Sequence, residues 1–95
     1  MTYYTYILAS QKNGTLYVGV TNNLAARAYT HKADTINNFV TKYQIHRLVH
    51  FEQFEDIEQA IRREKQLKRW NRQWKIDLIN QHNPDWRDLY QEILA

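Results

Sequence analysis

Two segments of this sequence place polar residues where the apolar face of a helix is expected. In the first segment, residues spaced three and four apart share one helix face and are Leu24, Arg27, Ala28 and His31. In the second, Glu64 interrupts a stripe of the same spacing that comprises Ile57, Ala60, Ile61 and Leu67. Because a conflict between local pattern and burial marks a functional site, Arg27, His31 and Glu64 are candidate site residues.

The glutamate in the second stripe has two explanations that the residues alone leave open. Burying an unpaired carboxylate costs free energy, so Glu64 needs a partner. It can form an ion pair with Arg27 that holds two elements together, or it can face a cleft and bind a hard cation. One carboxylate combined with water molecules is a ligand set that suits Mg²⁺.

Positive charge is concentrated in one segment of the chain. Residues 62–75 contain seven basic residues and one acid, a local charge of +6, whereas the rest of the chain sums to −3. This pattern indicates a nucleic-acid partner, and a plain solvated helix face is the alternative. The predicted nucleic-acid contacts are Arg62, Arg63, Lys65, Lys68, Arg69 and Arg72. Among them, Trp70 and Trp74 can stack on bases of a single strand or pack in the core.

Composition excludes several other classes of protein. The 95 residues include no cysteine and are 43% apolar, which predicts one domain over residues 1–95 with a modest core and no disulfide or cysteine-based zinc site. No apolar run approaches the roughly 18 residues of a membrane span, and the N-terminus shows no signal-peptide pattern. We therefore expect a soluble, cytoplasmic protein without a membrane partner.

Strands and helices that must position the candidate residues follow from periodicity and capping signals. Strands are predicted over 3–9, 15–20 and 47–54, the first two joined as a hairpin by an Asn-Gly turn. Helices are predicted over 23–32, 36–43, 57–70, 72–81 and 84–94. The order β-β-α-α-β-α-α-α predicts an α+β fold with a small sheet covered by helices.

Helix starts are indicated by residues whose side chains can accept a first-turn N–H. Asn22 or Asn23 can cap the first helix, and Asp56 can cap the helix that carries the basic segment. Asn83 followed by Pro84 suits the start of the terminal helix, because proline is tolerated at the first helical position.

Two tyrosine-containing tripeptides on the predicted hairpin complete a recognisable set. Tyr4-Thr5-Tyr6 and Tyr17-Val18-Gly19 are followed at fixed spacing by Arg27 and His31. This set resembles the strand-to-helix segment of the GIY-YIG endonuclease superfamily, in which both tripeptides occur. Of the first tripeptide, only Tyr6 matches the pattern of the superfamily.

The basic helix carries a second part of the same resemblance. Residues 60–68 are similar to the segment that holds the superfamily's metal-binding glutamate, here Glu64. The resemblance spans about residues 3–80 and is closest to the small stand-alone bacterial (YhbQ-like) members. One departure is Ile76, where many members have an asparagine; Asn80 is near but does not match that position.

This resemblance implies a fold, an activity and roles for the candidate residues. It implies a three-stranded antiparallel sheet flanked by helices, and a metal-dependent endonuclease that hydrolyses DNA phosphodiester bonds, in DNA repair or recombination. Glu64 would bind the cofactor, Mg²⁺ or Mn²⁺. Arg27 would contact the phosphate, and Tyr6 or Tyr17 would activate or orient the attacking water. His31 would relay a proton or hold Tyr17.

Two alternatives to an active endonuclease stay open. A catalytically weak or inactive nucleic-acid-binding module would use the basic helix 62–75, and the missing asparagine at position 76 favours it. A protein-binding adaptor would use the apolar residues near the end of the chain, Trp86, Leu89, Tyr90 and Ile93. For the protein as a whole, no small-molecule cofactor besides the metal is expected.

Overall fold

Three antiparallel strands form a single sheet. The computed structural model describes residues 1–26 and 45–94. Strands β1 (Tyr3–Ala9), β2 (Leu16–Thr21) and β3 (Arg47–Phe54) lie in the order β2-β1-β3, with β1 in the middle. The predicted α+β fold with a three-stranded antiparallel sheet is confirmed.

Three helices follow β3 along the chain: α1 (Ile57–Arg69), α2 (Arg72–His82) and α3 (Tyr90–Leu94). Asp56 caps α1 as predicted, because its carboxylate accepts the backbone N–H of Glu58 at 2.9 Å. The sequence pattern did not identify the cap of α2, which is the side chain of Asn71. Within the described ranges, no helix is long and apolar enough to cross a bilayer.

The prediction of a helix that begins at Pro84 is wrong, since α3 begins only at Tyr90. Trp86 has a φ of 54°, in the left-handed region that no right-handed helix accommodates. Its indole is fully buried and donates from Nε1 to Oδ1 of Asn80 at 2.6 Å. Leu89 is also buried, so these residues of the adaptor alternative serve the core.

Asn83 redirects the chain after α2 instead of starting a new helix. Its backbone N–H bonds to the carbonyl of Ile79 and ends α2. Its buried side-chain amide donates to the carbonyls of Val49 at 3.1 Å and Arg87 at 2.9 Å, and its Oδ1 accepts the N–H of Arg87 at 3.1 Å. These bonds attach the segment to the outer edge of β3, whose backbone groups need partners.

Each face of the sheet packs against a different apolar cluster. The first face contributes to a cluster of Tyr6, Leu8, Leu24, Ile45, Leu48 and Leu89. The second face contributes to a cluster of Ile7, Ala9, Val18, Val49, Leu67, Ile79 and Trp86. Because Leu67 belongs to α1 and Ile79 to α2, these two helices cover the second face.

Candidate active site

The turn that follows β2 is built around Asn23, one of the two predicted caps. Its Oδ1 accepts the N–H of Ala26 at 3.1 Å, and its own N–H donates to Oγ1 of Thr21 at 3.1 Å. Residues 24–26 are helical, so a helix begins directly after this cap. Three predictions concern positions outside the described residues: Arg27, His31 and the helix over 36–43.

Tyr6 and Tyr17 lie together on the first face of the sheet. Tyr6 on β1 pairs with Gly19 on β2, and the ring centroids of the two tyrosines are 6.4 Å apart. Tyr6 is 2% exposed, whereas Tyr17 is partly exposed on the edge strand. Of the two rings, Tyr17 is therefore the one that a substrate can reach.

Gly19 allows the ring of Tyr6 to pack directly against β2. A Cβ atom at position 19 would lie 2.5 Å from Oη and 2.6 Å from Cζ of Tyr6. Carbon atoms in ordinary contact are about 3.5–4.0 Å apart. The glycine of the second tripeptide is thus required by this close packing.

Glu64 lies on the sheet-facing side of α1, over the second face. Thr5 fixes the preceding helical turn, because its buried Oγ1 donates to the carbonyl of Ala60 at 2.7 Å. The Glu64 side chain is 17% exposed, and its Oε2 lies 3.5 Å from Nζ of Lys68. The sheet-facing stripe begins at Ala60, since Ile57 is 45% exposed and was wrongly predicted to belong to it.

The position of Glu64 around the helix directs it toward β2. Ala60 and Leu67 are fully buried and mark the line of α1 nearest the sheet. Successive residues advance by about 100° around a helix, so Arg63 and Glu64 fall on opposite sides of this line. Arg63 reaches Glu52 on β3. Glu64 is therefore on the flank that faces the other edge strand, β2.

Arg63 is tied into the fold through Glu52 and His50. Its Nε and Nη2 donate to the two carboxylate oxygens of Glu52 at 2.8 and 3.1 Å. The buried His50 donates from Nε2 to the same carboxylate at 2.8 Å, because an ionised carboxylate only accepts. Burial alone would raise the pKa of Glu52, but the hydrogen bonds and charges of His50 and Arg63 outweigh it and lower the pKa to about 2.

Acid is expected to weaken the fold through Glu52. Folding lowers its pKa from 4.5 to about 2, so its stabilising contribution is complete above pH 4.5 and is lost as the pH falls toward 2. We expect a loss of about 2 kcal/mol in the free energy of unfolding, reduced by solvent screening of this partly exposed pair. Urea unfolding between about pH 6 and pH 3 should show the stabilities of wild type and Glu52→Gln converging.

The control for this measurement is Glu55→Gln, which removes a nearby exposed carboxylate. Any change in the free energy of unfolding with pH that both variants share with the wild type is subtracted. The remaining pH dependence is attributed to Glu52. Stabilities of wild type and Glu52→Gln that stay parallel throughout the range would contradict the assigned role of the carboxylate.

An exposed basic face lies on the outer side of α1. It is formed by Arg62, Lys65 and Arg69, which are spaced three and four apart and are all exposed. Among the described residues, no side chain forms an ion pair or a hydrogen bond with Arg62, Lys65 or Arg69. Such cations can neutralise the phosphates of a nucleic acid.

Two further predicted contacts have partners within the protein. Lys68 is more than half exposed and pairs with the largely buried Glu64 one helical turn away, an i,i+4 pair that contributes little stability. Arg72 donates from Nη2 to the carbonyls of Asn13 at 2.5 Å and Gly14 at 2.6 Å, which links α2 to the hairpin turn. Both acceptors are neutral carbonyls, so these bonds do not cancel the positive charge of Arg72, which adds to the field of the basic face.

The donor set around Glu64 fits the metal that the sequence resemblance implies. Across residues 1–26 and 45–94, no group of three or more His, Cys, Asp or Glu side chains is placed to hold an ion. Mg²⁺ is commonly held by one or two carboxylates together with water and substrate phosphates. A single, partly exposed glutamate meets that requirement.

Comparison with known protein families shows the family to which this chain belongs. The family model of the GIY-YIG catalytic domain matches residues 2–77, which include the hairpin, β3, α1 and the first half of α2. This chain belongs to the GIY-YIG catalytic domain family. The resemblance of its tripeptides and basic helix to that nuclease family is thereby confirmed.

Small bacterial GIY-YIG relatives share nearly the full length of the chain. Identity is 34% over 79 residues with a UPF0213 protein of Staphylococcus haemolyticus, covering 83% of this chain and 95% of that one. With a UPF0213 protein of Syntrophus aciditrophicus it is 35% over 83 residues, covering 86% and 93%. The solution NMR structure of the UPF0213 protein from Bacillus halodurans aligns with a TM-score of 0.58 at 27% identity, covering 93% of both chains.

Proposed function

We propose that this GIY-YIG protein is a metal-dependent endonuclease that hydrolyses DNA phosphodiester bonds, in DNA repair or recombination. The observation that carries the proposal is that Tyr17 and Glu64 lie at the same edge of the sheet. Tyr17 is on the edge strand β2 and packs against the first face, whereas Glu64 is on α1 over the second face, on the flank of the helix nearest to β2. Membership of a nuclease family supports the reaction class.

The proposed roles follow from the chemistry of each side chain. Glu64 would hold Mg²⁺ or Mn²⁺, which when bound neutralises phosphate charge and lowers the pKa of water. Tyr17 orients the attacking water, and the buried Tyr6 holds the Tyr17 ring in place. Arg27 offers its planar fork to the phosphate and offsets the developing negative charge. His31, on the predicted face of the same helix, holds Tyr17 or relays a proton.

A cleavage assay tests this proposal. Purified protein is incubated with branched, single-stranded and duplex DNA in the presence of Mg²⁺ or Mn²⁺, and the products are resolved on a gel. We expect cleavage of at least one substrate, and its loss on addition of EDTA and in Arg27→Ala. A wild type that cuts none of the substrates, or an Arg27→Ala variant that cuts as fast, would refute the proposal.

Nucleic-acid binding without turnover is a second candidate function. The basic face favours it, and so does the position of Asn80, which accepts the indole N–H of Trp86 at 2.6 Å. The side-chain oxygen of Asn80, the asparagine nearest to position 76, is therefore occupied by a structural hydrogen bond. For this function, DNA binding would persist in Glu64→Ala, and no substrate would be cut.

Neutralising the basic face should weaken DNA binding in a salt-dependent manner. Each phosphate contact releases counterions, so the triple variant Arg62→Gln, Lys65→Gln, Arg69→Gln should lower the slope of log affinity against log salt by about 3. Fluorescence anisotropy of a labelled duplex across a salt series measures this slope. Lys12→Gln, an exposed charge on the hairpin turn, is the control. An unchanged slope in the triple variant would show that DNA binds elsewhere.

A further inference from the structure

Trp74 presents an exposed aromatic surface at the start of α2. Its side chain is 55% exposed, and its ring meets that of Trp70 edge-on, with centroids 5.9 Å apart and an angle of 88°. Trp70 is partly buried against the cluster on the second face, and the guanidinium of Arg63 lies 5.0 Å from its ring centroid. Trp70 thus holds Trp74 in position and leaves over half of it open.

The chain segment that carries this exposed ring is rich in cations. Residues 68–75 include no acid and four basic side chains, Lys68, Arg69, Arg72 and Lys75. Asp77, one turn later, lines a shallow groove together with Trp70 and Trp74, and it accepts a hydrogen bond from Gln73 at 2.8 Å. An exposed aromatic face on a basic segment suits a ligand that is flat and negatively charged, which is the chemistry of a nucleotide.

The basic face lies on the surface between Trp74 and Glu64. Trp70 and Arg63 share one flank of α1, where they contact each other, and Glu64 lies on the opposite flank. The basic face occupies the outer surface between these flanks. A strand held at Trp74 would therefore cross exposed cations on its way to Glu64.

We propose that Trp74 is a stacking platform for an unpaired base of single-stranded DNA, with the exposed cations of the basic face holding the flanking phosphates. Every base has a π-face, so stacking tolerates any sequence. A base inside a duplex is covered on both faces by its neighbours and cannot use this platform. The inference rests on the proposed nuclease function and names its substrate class: DNA with an unpaired stretch, at a branch, a flap or an end.

Binding measured in EDTA separates this inference from cleavage. Wild type, Trp74→Ala and Trp74→Phe are titrated into labelled oligothymidine and into a duplex of equal length. We expect Trp74→Ala to weaken single-strand binding by about 10- to 100-fold and duplex binding by less than about 2-fold. Trp74→Phe keeps an aromatic face and should stay within about 5-fold of wild type. Ile57→Ala, which removes another exposed apolar side chain, is the matched control.

Intrinsic fluorescence gives a second readout on the same samples. Oligothymidine should quench the tryptophan emission of the wild type, because stacking brings a base against an exposed indole. The quenching should be largely lost in Trp74→Phe, since Trp86 is fully buried and Trp70 partly so. Circular dichroism and thermal melting confirm that the variants fold, as expected for a position that is more than half exposed.

Three results would overturn the inference. The first is a Trp74→Ala variant that binds oligothymidine as tightly as wild type does. The second is a Trp74→Ala variant that loses as much affinity for the duplex as for oligothymidine. The third is Trp74-dependent binding that is tighter for oligouridine than for oligothymidine. The outcomes are separable from the proposed function. Cleavage without any dependence of binding on Trp74 rejects the stacking platform alone, and Trp74-dependent binding without cleavage of any substrate supports the platform and rejects the nuclease.

Discussion

Replacing Glu64 with glutamine is expected to slow Mg²⁺-dependent DNA cleavage by about a thousandfold or more, and to leave DNA binding in EDTA unchanged or tighter. The substitution keeps the shape of the side chain and removes the negative charge that a hard cation requires of its ligand. A thousandfold loss corresponds to about 4 kcal/mol of transition-state stabilisation. Gel assays of cleavage rate against Mg²⁺ concentration measure the effect.

The matched control is Lys68→Gln, which breaks the same ion pair from the other side. An i,i+4 pair on a helix contributes about 0.3–0.5 kcal/mol, and solvent reaches this pair on its Lys68 side, so neither variant should unfold the protein. Lys68→Gln keeps the carboxylate and should retain cleavage within about tenfold, allowing for one lost phosphate contact. If Glu64→Gln cuts DNA at the wild-type rate, or if both variants lose activity equally, Glu64 is not the metal ligand.

Substituting alanine for Gly19 is expected to destabilise the fold by about 3 kcal/mol. The added Cβ would lie 2.5 Å from Oη of Tyr6, a ring that is 2% exposed and enclosed by its cluster. The ring must move or the two strands must separate, and either change also displaces Tyr17. We therefore expect lower stability in urea unfolding together with reduced cleavage.

A double-mutant cycle isolates the clash from other effects of the substitution. In a Tyr6→Leu background the ring is absent, and Gly19→Ala should then cost less than about 1 kcal/mol. The coupling between the two positions would be about 2 kcal/mol by this reasoning. Equal costs of Gly19→Ala in both backgrounds would mean that the tyrosine ring is not the reason for glycine at this position.

Signals that depend on near neighbours in the chain predicted much of this fold. A β-rich composition, an Asn-Gly turn and a partial alternation located the three strands in turn. Short polar side chains located the caps at Asn23 and Asp56, because a cap needs only its own first turn. Glu64 was identified as a candidate because it interrupts an apolar stripe. Its sheet-facing position on α1 agrees with that interpretation of the pattern.

Contacts between distant parts of the chain could not be predicted from periodicity. Asn83 and Pro84 carry the local signature of a helix start, but the hydrogen bonds of Asn83 to Val49 and Arg87 direct the chain along β3 instead. Arg63 is indistinguishable in sequence from its basic neighbours, and only the pairing of β3 with β1 brings Glu52 beneath it. Which partner such a polar side chain binds is decided by the tertiary structure.

Paramagnetic broadening by Mn²⁺ tests the central claim, that one metal site forms where α1 meets β2. Amide cross-peaks of the ¹⁵N-labelled protein are recorded during titration with Mn²⁺, with Mg²⁺ as the diamagnetic reference. We predict that broadening begins at Glu64 and at residues 16–21 of β2, and that it disappears in Glu64→Gln. Broadening centred on other residues, such as His50 and His82, or broadening that persists unchanged in Glu64→Gln, would contradict the proposed site.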